Sequence, residues 1–309
     1  MSNNKITFAI LAGVSSLALC HRAMALEFYS PMQPGVSTGV PAGALPPPGL
    51  YGGADTFLET GPVENGKGHQ VAKTSGANIT PQLLYVPGWQ VLGANYGMMI
   101  NQPFNFNSIK VGAGATPSAF TGYGMFNTIL TPEILSWALG HGNFIAEGMT
   151  FYIPDGDFRH TGTSETLDSV SNNYWTFEPN IAYSYLGNGW NFTLNNTFDF
   201  NTKDNTTDYQ SGDVYYLDYT IAHAFGPITA GLIGTYDVQF TNDTQFGAPV
   251  ANTGGSGGYG NKWMHAAIGP ILEYNIGHAT IELRYLDGFA GRNGGNPSFF
   301  HFGINFPIM

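Results

Sequence analysis

Between Trp175 and Tyr185 the side chains alternate in kind. Odd positions carry Trp175, Phe177, Pro179, Ile181, Tyr183 and Tyr185, and even positions carry Thr176, Glu178, Asn180, Ala182 and Ser184. A period of two marks an extended strand with one greasy and one wet face. The pattern returns at Leu92 to Asn101, at Ala279 to Tyr285 and at Phe300 to Ile308. About twelve stretches of roughly nine to fourteen residues share this composition, the length at which a tilted strand crosses an apolar band of about 25 Å. After residue 25 no run of 18 apolar residues occurs, so a chain like this crosses a membrane only as a closed sheet. Averaging over opposite faces accounts for a mean hydropathy of −0.07.

The amino terminus reads as an export signal. Lys5 supplies the positive end, an apolar run extends from Ile6 to Cys20, and Ala23-Met24-Ala25 forms a small-x-small cleavage site. Leu26 is the expected mature start. The run is short and closed by His21-Arg22, which disfavours an anchor helix, and the bulky Leu19 before Cys20 disfavours a lipoprotein signal. Cys20 is the sole cysteine of the sequence, so the mature chain has no disulfide and no thiolate site. The formal charge of −11 becomes about −13 once Lys5 and Arg22 leave, which argues against a nucleic-acid partner.

Residues 26–48 form a proline-rich leader ending in Leu45-Pro46-Pro47-Pro48-Gly49. Proline removes ladder donors, so this is no regular strand. An extended periplasmic segment is expected, with a piece tucked into the lumen as the alternative. From residue 49 to 309 short turns alternate with long polar connections. The turns fall at Pro87 to Gln90, Gly140 to Asn143, Gly187 to Gly189, Gly226-Pro227 and Ile276 to His278. The long connections are expected near residues 61–76, 104–123, 155–172, 203–212, 241–262 and 288–295. That alternation predicts an all-β fold, a transmembrane antiparallel up-and-down β-barrel of about 12 strands with short periplasmic turns and long outer loops. Fourteen strands remain an alternative if the leader or a loop supplies another pair. Glu147 shares the parity of Met149 and Phe151, which suggests a bulge near Gly148. Trp89, Trp137, Tyr174, Trp190 and Trp263 stand at strand ends, where interfacial aromatic girdles belong; a secreted β-sandwich would alternate without them.

His301-Phe302-Gly303-Ile304-Asn305-Phe306-Pro307-Ile308 has the form of a terminal signal read by barrel-assembly machinery, with Met309 in place of the more usual Phe. Together with Leu45-Pro46-Pro47-Pro48-Gly49-Leu50-Tyr51 and Tyr152-Ile153-Pro154-Asp155-Gly156-Asp157-Phe158, it resembles the "putative MetA-pathway of phenol degradation" family over about residues 45–309. The resemblance implies an outer-membrane, transporter-like barrel linked with uptake of aromatic compounds. Pro154-Asp155-Gly156 replaces the family's Pro-Thr-Gly, and Tyr51-Gly52-Gly53 lacks an expected aromatic, so the resemblance does not name a ligand.

Inward-facing candidates follow from parity: Glu133, Glu178, Asp218, Glu273 and Glu282, with Arg284 as the one basic residue assigned to a strand. They make a cation-attracting lumen, or polar filling that satisfies itself. His265 and His301 are expected inward beside Glu273, a spacing that does not make a metal site. Phe104, Phe106, Phe120 and Phe126 are expected to fold inward as a greasy constriction, with loops 104–123 and 241–262 admitting solute. Gly-x-Ser-x-Gly spacing occurs at Gly35 to Gly39 in the proline-rich leader and at Gly254 to Gly258 in a glycine-rich run, neither of them an elbow leaving an expected strand; Ser136 and His141 are close in sequence, and no phosphate loop occurs. The expectation is therefore a monomeric passive channel for small hydrophobic or aromatic solutes, without cofactor, metal or catalytic residues. Its expected partners are outer-membrane lipid, the assembly machinery and a small-molecule solute. A structural or cell-interacting barrel and a barrel hydrolase are the rivals.

Overall fold

The computed structural model describes residues 31–111, 118–250 and 262–309. The export signal assigned to residues 1–25 and the glycine-rich run Gly254 to Gly260 lie outside the described residues.

Twelve antiparallel strands form a closed wall: β1 (Gly49–Glu64), β2 (Gln70–Val86), β3 in two pieces (Ala94–Asn101 and Phe104–Val111), β4 in two pieces (Ser118–Met125 and Thr128–Gly140), β5 (Asn143–Ile153), β6 (Thr176–Gly187), β7 (Trp190–Asn201), β8 (Val214–Phe225), β9 (Ile228–Gln239), β10 (Met264–Asn275), β11 (Thr280–Arg292) and β12 (Ser298–Pro307). Each pairs with the next, and β12 returns to β1 in a ladder from Tyr51↔Pro307 to Thr60↔Ser298. Closure matters because an open sheet edge in lipid would leave backbone donors and acceptors without partners.

The alternation sorts the side chains as expected. On β6, Phe177, Ile181 and Tyr183 are exposed while Thr176, Ala182 and Ser184 are buried. On β12, Phe300, Phe302 and Phe306 face out and His301 faces in. The short turns need left-handed residues: Asn188 and Gly189 both have positive φ in the two-residue link between β6 and β7, the conformation that matches strand twist.

Four expectations change. The connections expected at 61–76 and 104–123 are mostly strand: β1 runs to Glu64 and β2 starts at Gln70, while Phe104–Val111 pairs with Ser118–Met125. Polar residues such as Asn105 and Asn107 read as loop, yet they line the wet interior of strands that continue upward. The bulge lies not at Gly148 but across the ladder on β4, between Leu130 and Glu133, where Pro132 has no N–H to give. Glu147 stays exposed. Trp263 and Tyr174 are buried rather than in a girdle, whereas Trp89, Trp175 and Trp190 are exposed.

The largest change concerns the leader. Of its described part, residues 31–46 lie inside the barrel rather than beneath it, and Pro47 and Pro48 are exposed at the lower mouth. Tight turns compact it, with Val36 N–H donating to Gln33 O and Thr38 N–H to Gly35 O, each at 3.1 Å. Near the upper end Met32 packs with Phe126, Tyr152, Val214, Tyr216 and Trp263.

Candidate functional site

The lumenal segment is held by contacts that descend in order along the barrel. Ser37 donates to Asp218 Oδ2 through its amide at 3.0 Å and its hydroxyl at 2.7 Å. The Gly39 amide donates to Thr220 Oγ1 at 2.7 Å, and Asn191 Nδ2 donates to Gly39 O at 3.0 Å. Lower down, the Gly43 amide donates to Ser184 Oγ at 2.9 Å and Ser136 Oγ donates to Gly43 O at 2.8 Å. Glycine is required at two of these points. A Cβ on Gly39, whose φ is +86°, would come within 2.6 Å of Glu282 Oε2, and one on Gly43 within 2.6 Å of the Ser184 amide nitrogen.

Arg284 is the chief anchor. It is 3% exposed, and its Nη1 lies 3.1, 3.1 and 2.9 Å from the carbonyl oxygens of Gly35, Val36 and Thr38. Nη2 pairs with Asp55 Oδ2 at 2.8 Å and Nε with Glu282 Oε1 at 2.7 Å. A guanidinium suits this place because its planar fork reaches several oxygens at fixed angles, which an ammonium does not.

Beside the segment a cavity of about 830 Å³ remains. Along β1 it is lined from Tyr51 near the lower end to Val63 near the upper, so it spans the height of the wall. Apolar lining comes from Met32, Val36, Val40 and Leu45 of the segment and from Phe57, Phe126 and Ile129 of the wall. Asp55, Glu59, Glu178, Glu273, Glu282 and Arg284 are set among them, Asp55 and Glu59 on the same strand face as Phe57. Acids therefore outnumber the arginine along the path.

Of the residues expected to face the lumen, Glu178, Asp218, Glu282, Arg284, His265 and His301 are buried inside and Glu273 lines the cavity. Glu133 is a correction: the bulge at Pro132 reverses the parity and turns it outward, exposed. The histidines do not flank Glu273. His265 Nδ1 meets Asp237 Oδ2 at 2.8 Å, and His301 Nδ1 lies 3.3 Å from Asp55 Oδ2, with the Phe299 ring between the two imidazoles. The aromatic constriction reduces to Phe126. Phe104 and Phe106 point outward because the strand continues through them, and Phe120 sits opposite Ile109 on the inward face above the cavity. Ser136 is buried against the segment and His141 occupies an exposed turn, so the two do not meet. Lys73, Lys110 and Arg292 join Arg284 as strand bases because the strands are longer than expected. Asp55, Glu59, Asp199 and Asp237 were not singled out from sequence. Asp55 and Glu59, four residues apart and therefore on one face of a strand with Phe57 between them, were the available signal. Among the described residues no group of three or more His, Cys, Asp or Glu could hold a metal ion.

The outer rim has a titratable latch. Asp243 accepts from Tyr209 Oη at 2.6 Å, the Gly212 amide at 2.8 Å and Gln239 Nε2 at 2.5 Å. Burial pushes its carboxyl up to about 7, against the opposing pull of these donors. A carboxyl raised in the fold stabilises it at low pH, and that contribution is lost as pH rises through the folded value. Amide exchange of the small rim ladder joining Tyr209–Gln210 to Thr244–Gln245, corrected for intrinsic rates, is expected to be slower at pH 5 than at pH 8.5, and Asp243→Asn should remove the difference.

A family model described as "Putative MetA-pathway of phenol degradation" matches residues 62–300. The fold is shared with a solved outer membrane channel from Pseudomonas putida F1, at a TM-score of 0.72 and 14% identity over 89% of this chain and 99% of that one. The β domain of the Bordetella autotransporter BrkA aligns at a TM-score of 0.50 and 11% identity, over 84% of this chain and 100% of that one. No curated protein matches the sequence.

Proposed function

The chain belongs to the family described as the MetA-pathway of phenol degradation, and from that premise we propose that it is an outer-membrane channel for passive uptake of small hydrophobic or aromatic solutes. The observation that carries this reading is the cavity beside the lumenal segment. Its volume of about 830 Å³ falls within the range of pockets that enclose small organic molecules, and a largely apolar lining with a few fixed polar groups is what such ligands need. Hydrated sugars or ions would lose water against Val36, Val40 and Leu45, whereas an aromatic ring packs on such side chains, and the hydroxyl of a phenol can donate to a carboxylate set among them. On this reading the protein does no bond chemistry. Movement follows the solute gradient.

The test is transfer of naphthalene and phenol across proteoliposomes holding the chain from Leu26, compared with a sugar of similar size. Transfer of the aromatics beyond the rate in protein-free vesicles, with no such gain for the sugar, supports the reading. Equal leakage of all three would make the protein a general pore, and no transfer of any would favour a structural barrel.

The acids make a second expectation measurable. Small ions that pass the segment should be mostly cations, read as a reversal potential under a KCl gradient. Glu273→Gln combined with Glu178→Gln should move that potential toward zero, because both carboxylates line the path.

A further inference from the structure

Where β12, β1, β2, β3 and the upper piece of β4 run side by side, three rows of side chains are stacked on the outward face of the wall. The ladders fix each row. Leu58 pairs with Ala77, Ala77 with Phe106 and Phe106 with Tyr123, and Phe300 flanks Leu58 on β12. Two residues further up, Thr60, Ser75, Ser108 and Thr121 stand in line, with Ser298 beside Thr60. Two residues above those, Pro62 is followed by Lys73, Lys110 and Ala119. Side chains two apart share a face of a strand, so an apolar row, a hydroxyl row and a cationic row succeed one another upward.

Burial agrees with that assignment. Leu58, Thr60, Lys73, Phe106, Lys110, Thr121 and Tyr123 are exposed, whereas Thr74 and Ile109, next in sequence to the two lysines, are buried in the lumen. Lys73 and Lys110 stand directly opposite each other in the β2–β3 ladder, a relation in which like charges repel. Neither ammonium has an ion-pair partner among the described residues. Glu64, two residues above Pro62, takes its hydrogen bond from Asn296 Nδ2 at 3.4 Å instead. The hydroxyls of Thr60, Ser75, Ser108 and Thr121 are likewise without partners among the described residues, while Ser298 donates to Asp287. A chain with 21 acids and 10 bases thus sets two lysines side by side and leaves their counter-charge to come from outside.

Height decides what can supply it. Lys73 stands twelve residues above Tyr85, an exposed ring at the lower end of β2. At about 3.3 Å per residue and a tilt near 40°, that climb is about 30 Å, just past an apolar band of about 25 Å. The lysines therefore reach the headgroups of the outer leaflet, the hydroxyls lie at the boundary below them, and the apolar row lies among the acyl chains. Four hydroxyls at a strand spacing of about 4.8 Å extend over about 14 Å, wide enough for a disaccharide headgroup and wider than a glycerol.

We propose that this face seats one phosphorylated glycolipid of the outer leaflet. Its phosphate bridges Lys73 and Lys110, its sugar and acyl-linkage oxygens meet the hydroxyl row, and its chains lie on Leu58, Phe106 and Tyr123. A zwitterionic headgroup suits the place less well, because it brings a cation of its own against the lysines. The proposal depends on the outer-membrane location alone and not on what passes through the lumen.

The test is native mass spectrometry of the chain from Leu26, folded in detergent and titrated with diphosphoryl lipid A, with the same lipid stripped of its phosphates, and with inorganic phosphate as competitor. Lys73→Gln combined with Lys110→Gln should weaken binding of diphosphoryl lipid A roughly twenty-five-fold, at about a factor of five for each lysine. Lys203→Gln combined with Lys262→Gln, two exposed lysines elsewhere on the rim, should leave it unchanged. The stripped lipid should bind parent and Lys73/Lys110 variant equally. All four positions are exposed, and resistance to unheated SDS checks that each variant keeps the barrel. Equal affinity of the parent and the Lys73/Lys110 variant for diphosphoryl lipid A would overturn the seat. Displacement of the lipid by equimolar inorganic phosphate would overturn it as well, since the hydroxyl and apolar rows would then contribute nothing.

Discussion

Gly39→Val should convert a plugged barrel into an open one. The new side chain has no room beside Glu282 and Ile271, and φ of +86° is strained for a β-branched residue, so the cheapest relief is for the segment to leave its seat. A twelve-stranded wall without its filling encloses a water-filled pore, and conductance per channel should rise by about an order of magnitude. Deletion of Pro31 to Ala44 should give the same conductance as the point variant, which separates release of the segment from damage to the wall. Selectivity for aromatics over sugars should fall in both, since Met32, Val36 and Val40 of the segment supply much of the apolar lining of the cavity. Conductance unchanged from the parent protein in both would show that ions never had to pass the segment.

Arg284→Met should have the largest effect on stability. The residue compensates Asp55 and Glu282 and holds three carbonyls of the segment, all out of water. Breaking a buried pair by removing one partner costs about 3–5 kcal/mol, because the charges left behind have neither water nor a counter-ion. The unfolding midpoint in urea, followed by tryptophan fluorescence in detergent, should fall accordingly. Arg284→Met combined with Asp55→Asn and Glu282→Gln should recover much of the loss, and that recovery distinguishes uncompensated charge from lost packing. Arg284→Lys is expected to fall between, since one ammonium cannot reach both carboxylates and the carbonyls at once.

The wall was legible because its cause is local. An alternating strand shows its two faces in any eleven residues, and the inward placement of Glu178, Glu282 and Arg284 followed from parity. Glu133 shows where that reasoning fails: Pro132 shifts the register by breaking the ladder, and parity beyond a bulge depends on the partner strand. Phe104 and Phe106 were taken for a loop because asparagines interrupt them, yet in a wet lumen asparagine is the ordinary inward residue. The plug was the least legible element. Its anchors on the segment are chiefly backbone groups, the oxygens of Gly35, Val36 and Thr38 and the amides of Gly39 and Gly43, which every sequence possesses. Only the glycines record, by the side chain they lack, that a wall presses against them.

The order of the contacts also sets the mechanics of the segment. It enters the lumen beside the start of β1 and climbs, meeting Ser184, then Thr220, then Arg284 and Asp218 together over Thr38 to Gly35, and finally the packing around Met32. A downward pull on Pro46-Pro47-Pro48 therefore loads these attachments one after another, as in peeling tape, and never all together as in shear. The steps at Gly43 and Gly39 each break about two hydrogen bonds, while release from Arg284 breaks several at once. A stiff proline run transmits such a pull with little stretch. The segment can thus stay seated against thermal motion and still be released stepwise by a pull from the periplasmic side, with Arg284 as the step that resists most.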